Sequence, residues 1–228
     1  MANSERLNAI KSLVPHGTRL LDIGSDHGLL PYDLLVSRHI SYAFVTDVNE
    51  GPLQHSRLQL SCFYKEGGAA NGSKVDFALS DGFCKVPKGV YDLAAICGMG
   101  GELIARIMAE GGDKAKCPLI LQPMTMYDRL RAFLWDNGFT IEKELYPQEG
   151  KRTYLVMLVR YTGEQESYTV AETYLGKLCP QEEGFYSFAR AVAAAAENRL
   201  RGALHSDNND AAKREQAIIE AVQTLLKA

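Results

Sequence analysis

Three stretches of this chain carry carboxylates and glycines at spacings that would gather them along one edge of a sheet. The first is Arg19-Leu20-Leu21-Asp22-Ile23-Gly24-Ser25-Asp26-His27-Gly28, an apolar strand running into a glycine turn that opens a helix. Such a turn lets the backbone approach a nucleotide-like ligand closely. A dinucleotide fold wants G-x-G-x-x-G there, so that a pyrophosphate can rest on the helix N-terminus. Here Ser25, Asp26 and His27 separate Gly24 from Gly28. The Asp26 carboxylate would repel a phosphate and tolerate a cation. That suits an adenosine ligand with positive charge and no phosphate, and S-adenosylmethionine, with its sulfonium and ammonium groups, is the common one.

The second carboxylate, Asp47, closes the next apolar run in Thr46-Asp47-Val48-Asn49-Glu50-Gly51-Pro52. At that place a carboxylate accepts from the ribose hydroxyls of a ligand lying across the strand ends, and it serves equally as a helix cap. Ser80-Asp81-Gly82 supplies the third, where an adenine amino group would lie, or a plain turn. Cys97-Gly98-Met99-Gly100-Gly101 then lets a planar group approach the backbone. Gly98 and Met99 are expected on the cofactor side and Gly100 and Gly101 on the substrate side. Leu121-Gln122-Pro123-Met124 adds an amide and a fixed bend beside the same opening; Gln122 could read a base edge or simply bond backbone.

The elements that must position these residues alternate. Leu20–Ile23, Tyr42–Thr46, Val75–Leu79, Leu93–Cys97 and Leu119–Leu121 are short apolar runs, as strands buried on both faces should be. Helices are expected at about 29–37, 51–66, 100–110 and 126–137, the last stopped by Asn137-Gly138. Thr140–Leu145 and Thr153–Tyr161 have no helix between them, so they predict a hairpin that brings an antiparallel strand into a parallel sheet. The fold class is therefore α/β, Rossmann-like, with a mostly parallel seven-stranded sheet. Beyond it, Phe185, Phe188, Val192, Ala195, Ala196, Arg199, Leu200 and Ala203, then Ile218, Ile219, Val222, Leu225 and Leu226, recur at helical spacing around the turn-like His205-Ser206-Asp207-Asn208-Asn209. These predict an α-helical hairpin, giving two units: residues 1–162 for the ligand and 163–228 for the appendage.

Composition narrows the classes. The 228 residues are 46% apolar and 23% charged, ordinary for a globular protein with a sizeable core. A signal of the secretory kind and an apolar run long enough to span a bilayer are both missing, so a cytoplasmic protein is expected, with no membrane partner. Five cysteines at spacings of 22, 13, 20 and 62 match no zinc template. They read as reduced thiols, with no metal expected; Cys97 in particular reads as a small buried thiol rather than a nucleophile. The net charge of −3 does not announce a nucleic-acid binder. Residues 164–228 carry 7 basic and 10 acidic side chains and the remainder 18 of each, so any RNA contact must come from a local patch.

Taken in order, Asp22-Ile-Gly-Ser-Asp-His27, Asp47 with Glu50-Gly51-Pro52, Gly98-Met-Gly-Gly101-Glu-Leu-Ile104, Leu121-Gln-Pro123 with Leu130-Arg131, and Asn137-Gly138-Phe139 resemble the bacterial tRNA (adenine-22-N1)-methyltransferase family, often called TrmK. The likeness covers most of residues 4–160. It implies a class I methyltransferase using S-adenosyl-L-methionine, with tRNA as partner and a coiled-coil-like hairpin at the C-terminus. The chain departs from the family's usual pattern in Gly28-Leu29, in Asp47 where Glu is common, and in Met124 where Asn is frequent. At the last position a thioether replaces a polar contact and could pack on a flipped base.

Adenine N1 is unprotonated and nucleophilic at neutral pH, so alignment matters more than a general base. The methylated ring is cationic. Asp26 is accordingly expected to hold the adenine amino group or stabilise that charge, or else to cap the helix; His27 would shuttle a proton or pack the loop. The resemblance implies a site with Asp26, His27 and Gln122 catalytic. Asp22, Gly24, Ser25, Gly28, Asp47, Asp81, Gly82, Gly98 and Met99 would hold the cofactor, and Gly100, Gly101, Pro123, Arg131 and Arg152 the substrate. Arg6, Arg129 and Lys151 join the arginines as candidate RNA contacts, and the protein is expected as a monomer or weak dimer. The same cofactor half would also serve a methyltransferase acting on a small molecule or protein, or a non-catalytic module whose hairpin binds a partner.

Overall fold

A computed structural model of the chain describes residues 4–25, 27–65, 72–180 and 183–227. Its strands are β1 (Arg19–Ile23), β2 (Tyr42–Asp47), β3 (Lys74–Leu79), β4 (Leu93–Gly100), β5 (Leu119–Thr125), β6 (Phe139–Leu145), the two-residue β7 (Gln148–Glu149) and β8 (Arg152–Thr153), and β9 (Val156–Tyr161). Seven form one sheet in the order β3-β2-β1-β4-β5-β9-β6, and β7 and β8 pair separately. β1 to β5 run parallel, while β9 lies antiparallel between β5 and β6. The mostly parallel seven-stranded sheet and its antiparallel strand are as expected.

Successive side chains of a strand point to opposite faces, so a continuous apolar run feeds two cores. Leu21 and Ile23 join one cluster with Ile96, Leu119 and Leu121, and Leu20 joins the other with Val45, Ala95 and Ile120. Helices α2 (Leu29–Val36) and α3 (Glu50–Lys65) cover the second face; α4 (Gly101–Gly111) and α5 (Tyr127–Asp136) cover the first.

Two helices were not foreseen. α1 (Glu5–Ser12) is capped by Ser4, whose side chain accepts from the Leu7 N–H, and Ile10 packs it onto the second core. α6 (Val170–Leu175) starts at Thr169 in a capping box with Glu172. The expected strand Thr153–Tyr161 is also broken. The Tyr154 N–H donates to the Pro147 carbonyl at 2.9 Å, closing the β7–β8 turn and leaving β9 to begin at Val156.

The helical hairpin consists of α7 (Glu183–His205) and α8 (Asn209–Leu225), the latter capped by the Asn208 side chain. Its apolar face continues the first core rather than forming its own. Phe185, Phe188, Val192, Ile218 and Val222 belong to the same cluster as Trp135 and Met157. Aromatic rings fill the seam, with Tyr146 and Phe188 centred 5.1 Å apart and Tyr127 also 5.1 Å from Phe188. Among the described residues no helix is long and apolar enough to cross a membrane.

Candidate active site

The strand order turns outward in both directions from β1 and β4, which leaves a crevice beyond their carboxyl ends where open α/β sheets bind ligands. A cavity of about 430 Å³ occupies it. The first turn forms its floor. The Gly24 and Ser25 amides both donate to the Thr46 carbonyl, at 2.8 and 3.2 Å, and the Ser56 hydroxyl of α3 donates to the Ser25 carbonyl at 2.6 Å. These bonds fix the turn against β2 and α3 so that Asp22, Gly24, Ser25 and His27 line the cavity.

Asp22 is buried, and loss of hydration pushes its carboxyl up to about 6; Ser25 opposes that rise and the Asp47 carboxylate adds to it. The buried Ser25 hydroxyl completes no hydrogen bond of good geometry within the described residues. A desolvated acid and a buried hydroxyl beside it in one wall are groups that a cationic, hydrogen-bonding ligand would satisfy.

Across the cavity β4 contributes Cys97, Gly98 and Met99, and β5 contributes Gln122 and Met124. Gly98 adopts φ +79° with open space where a side chain would project, so only glycine keeps this wall both left-handed and clear. Gln122 holds it there. Its Oε1 accepts from the Gly98 N–H at 3.2 Å, and its Nε2 donates to the Pro123 carbonyl at 3.1 Å. The buried Gln122 amide thus holds the Gly98 backbone and reaches Met124 Sδ at 3.4 Å while lining the cavity. Burial and the neighbouring Asp22 push the Cys97 thiol up, which favours its protonated form.

The other expected site residues are distributed as follows. Asp47 ends β2 with its Oδ1 accepting from the Asn49 N–H at 2.8 Å, outside the cavity wall but on the same edge. Asp81 is exposed, 3.9 Å from Arg106. Gly28 and Gly82 are buried against α3 and α4, next to Ser56 and Ile107 respectively. Gly100 caps α4, and Gly101 is closed off by the Met126 carbonyl, which leaves it no surface for substrate. Pro123 is buried behind the wall. Arg152 is exposed, its guanidinium donating to the Met124 carbonyl at 3.2 Å. Asp26 lies outside the described residues.

Arg131 overturns its expectation as a substrate contact. It is wholly buried, paired with Glu144 at 2.8 Å and donating to the Thr173 and Tyr174 carbonyls. It faces inward and ties α5 to β6 and α6. Arg129 pairs with Glu102 on the surface.

The roof was the part missed. Ser4, Arg6, Leu7 and Ile10 of the first helix line the cavity. Glu149 anchors them by accepting from the Ser4 hydroxyl at 2.5 Å and the Arg6 N–H at 3.0 Å. Two guanidiniums also approach the Tyr154 ring, Arg6 at 5.0 Å and Arg152 at 4.8 Å from its centre. The signal was present in Ser4 followed by Leu7 and Ile10 at helical spacing. Among the described residues, no cluster of three or more His, Cys, Asp or Glu could hold a metal.

Known proteins share this arrangement. A family described as "Methyltransferase domain" matches residues 3–157. The tRNA (adenine(22)-N(1))-methyltransferase of Bacillus subtilis strain 168 is 32% identical over 166 residues, covering 72% of this chain and 67% of that one. A solved structure from Streptococcus pneumoniae, provisionally assigned as a tRNA (m1A22) methyltransferase, superposes with a TM-score of 0.83 at 30% identity over 98% of this chain and 99% of the other. The same protein in complex with S-adenosyl-L-methionine gives 0.77 at 30% identity, over 95% and 99%. The chain therefore belongs to the methyltransferase-domain family and, within it, to that of the tRNA (adenine(22)-N(1))-methyltransferases.

Proposed function

We propose that this protein methylates N1 of an adenine in tRNA, at position 22 as in its relatives, using S-adenosyl-L-methionine. The observation that carries the reading is the cavity in which the buried Asp22 carboxyl and the Ser25 hydroxyl beside it face the open Gly98 wall. When bound, S-adenosylmethionine supplies a methyl group activated by its sulfonium.

The residues divide the work. Asp22 meets the positive charge of the cofactor's amino-acid portion, and the Ser25 hydroxyl offers it a hydrogen bond. Asp47, on the same edge, accepts from the ribose, and Asp81 lies beyond it toward the adenine. Gln122 keeps the Gly98 amide and the clear space beside it in place, so that target nitrogen, methyl and sulfur can align; alignment alone can lower a barrier by roughly 7 to 11 kcal/mol. Leu7 and Ile10 help to exclude water from above, which strengthens each polar contact beneath. A base reached on its pairing edge must be turned out of its stack at a cost of a few kcal/mol. Asp26 keeps its place in the reading by sequence position alone, beside the first turn, where a carboxylate would stabilise the cationic product.

In this reading residues 1–162 hold cofactor and target base, 163–228 form the appended hairpin, and the protein acts in the cytoplasm as a monomer or weak dimer without metal. Labelled S-adenosylmethionine incubated with total tRNA, followed by nucleoside mass spectrometry, tests it. The expected product is N1-methyladenosine, lost from a transcript whose target adenine is replaced. Methyl transfer indifferent to that replacement, or confined to small molecules or protein, would overturn it.

A further inference from the structure

A second cavity, of about 300 Å³, lies between the β7–β8 turn and α7. Its walls are Met124, Tyr127, Phe188, Ala191 and Val192, with Lys151, Arg152, Thr153 and Ser187 supplying polar groups. Met124 lines both this cavity and the first one, so the two meet at a single side chain. Lys151 and Arg152 are exposed.

We propose that this cavity receives the base adjacent to the target adenine; the inference rests on the tRNA reading above. Three observations carry it. Apolar and aromatic walls below exposed cations are how proteins hold one nucleotide of a single strand, the base against the side chains and the phosphate against the cations. The continuity through Met124 supplies the second. A base turned into the first cavity draws its neighbour out of the stack, and the nearest apolar shelter is across that thioether. Third, α7 forms one wall through Ser187, Phe188, Ala191 and Val192, while the β7–β8 turn forms the other. The helical hairpin thereby completes a binding subsite instead of merely abutting the sheet. Met124 acts as the partition and packs on the displaced base from either side.

The test pairs a variant with a modified RNA. Ala191 is exposed and lines the cavity, so Ala191→Trp fills the space without entering the core. Steady-state methylation is measured on a short tRNA-derived hairpin that is intact, or abasic at the residue before or after the target. Stacking of one base is worth roughly 1 to 3 kcal/mol, so removing the correct neighbour should raise KM about tenfold for the native enzyme. Ala191→Trp should raise KM by a similar factor on intact RNA, lose nothing further on the abasic one, and leave the Kd for S-adenosylmethionine unchanged. Lys151→Glu, at the rim, should raise KM severalfold at low salt and converge on the native value at high salt. Insensitivity of the native enzyme to both abasic substrates, an unaltered KM in Ala191→Trp, or losses that multiply independently would each overturn the subsite. If the native enzyme transfers no methyl to intact RNA, the tRNA reading itself fails, and the subsite with it, before any variant is compared.

Discussion

Arg131 Nε lies 2.8 Å from Glu144 Oε1 with both side chains fully buried, and the Tyr146 hydroxyl donates to the other carboxylate oxygen at 2.9 Å. Burial opposes the charge on Arg131, while Glu144 and Tyr146 sustain it. Nη1 of the guanidinium donates to the Thr173 and Tyr174 carbonyls at the end of α6 and Nη2 to the Tyr146 hydroxyl, so one side chain joins three elements. Removing one partner of such a pair leaves the other charge unpaired in the core, at a cost of about 3 to 5 kcal/mol. Arg131→Ala should accordingly lower the melting temperature by roughly 10 °C, given about 2 to 4 °C per kcal/mol for a chain of this size. A double variant, Arg131→Met with Glu144→Leu, should recover much of that. Unchanged melting in Arg131→Ala, with RNA binding lost instead, would return this arginine to the surface role its sequence context suggested.

The Asp22 carboxyl gives the site a pH dependence. Its native value of about 6 stands above the ordinary aspartate value of about 3.9 because burial penalises the ion. Between those limits the folded chain binds more protons than the unfolded one. Stability therefore falls as pH rises through this window, the cost being fully present above pH 6 and absent below about 4. Two pH units correspond to about 3 kcal/mol at most, so Asp22→Asn should stabilise the ligand-free protein by up to that amount at neutral pH and by nothing near pH 4. A cationic cofactor selects the ionised form. Its affinity, followed by calorimetry from pH 8 to 5, should be flat above 6 and then weaken by up to about tenfold per unit, a slope that Asp22→Asn abolishes along with most binding. A flat profile in the native protein would remove Asp22 from contact with the charge.

Gln122 makes a different prediction because it acts through backbone. Gln122→Ala removes one bond to the Gly98 amide and one to the Pro123 carbonyl, each worth about 0.5 to 1.5 kcal/mol. If the wall then wanders, the Kd for S-adenosylmethionine should rise roughly tenfold and kcat should fall. Gln122→Glu retains the acceptor for Gly98 and should recover part of the affinity at neutral pH. Equal losses in both variants, with affinity intact and only turnover reduced, would instead indicate that the amide touches the base.

Residues that act through local backbone were legible in the sequence, and those that act through distant packing were not. The Gly24 turn, Gly98 and the strand ends declare themselves because apolar runs stopped by glycine leave few alternatives. Arg131 did not, since helical spacing fixes which residues share a face but not which face finds a buried carboxylate 13 residues away. Gly28, Gly82 and Gly101 each lie against a neighbouring helix or backbone; a close approach of that kind and the approach of a ligand leave the same mark on a sequence. Ser4 and the Thr169-x-x-Glu172 box were visible capping signals that went unread because the segments behind them were short.

The roof over the cavity supplies the last prediction. The Ser4 side chain accepts from Leu7 N–H at 3.2 Å and donates to Glu149, so one hydroxyl both starts α1 and fastens it to the β7–β8 turn. Glu149 is held below the usual carboxylate range by Ser4 and by the Arg6 amide. Loss of an N-cap costs about 1 kcal/mol. Because α1 is only eight residues long and lines the cavity, that cost should fall on local opening rather than on global stability. Ser4→Ala should thus leave the melting temperature within about 2 °C of the native value, speed amide exchange in residues 5–12, and weaken S-adenosylmethionine binding roughly fivefold. Ser4→Asp restores a capping acceptor but faces Glu149 with a second negative charge. It should therefore recover little of the lost helix protection at neutral pH. Protection in Ser4→Ala equal to the native chain would show that Arg6, gripping Tyr154 from above, secures the helix without its cap.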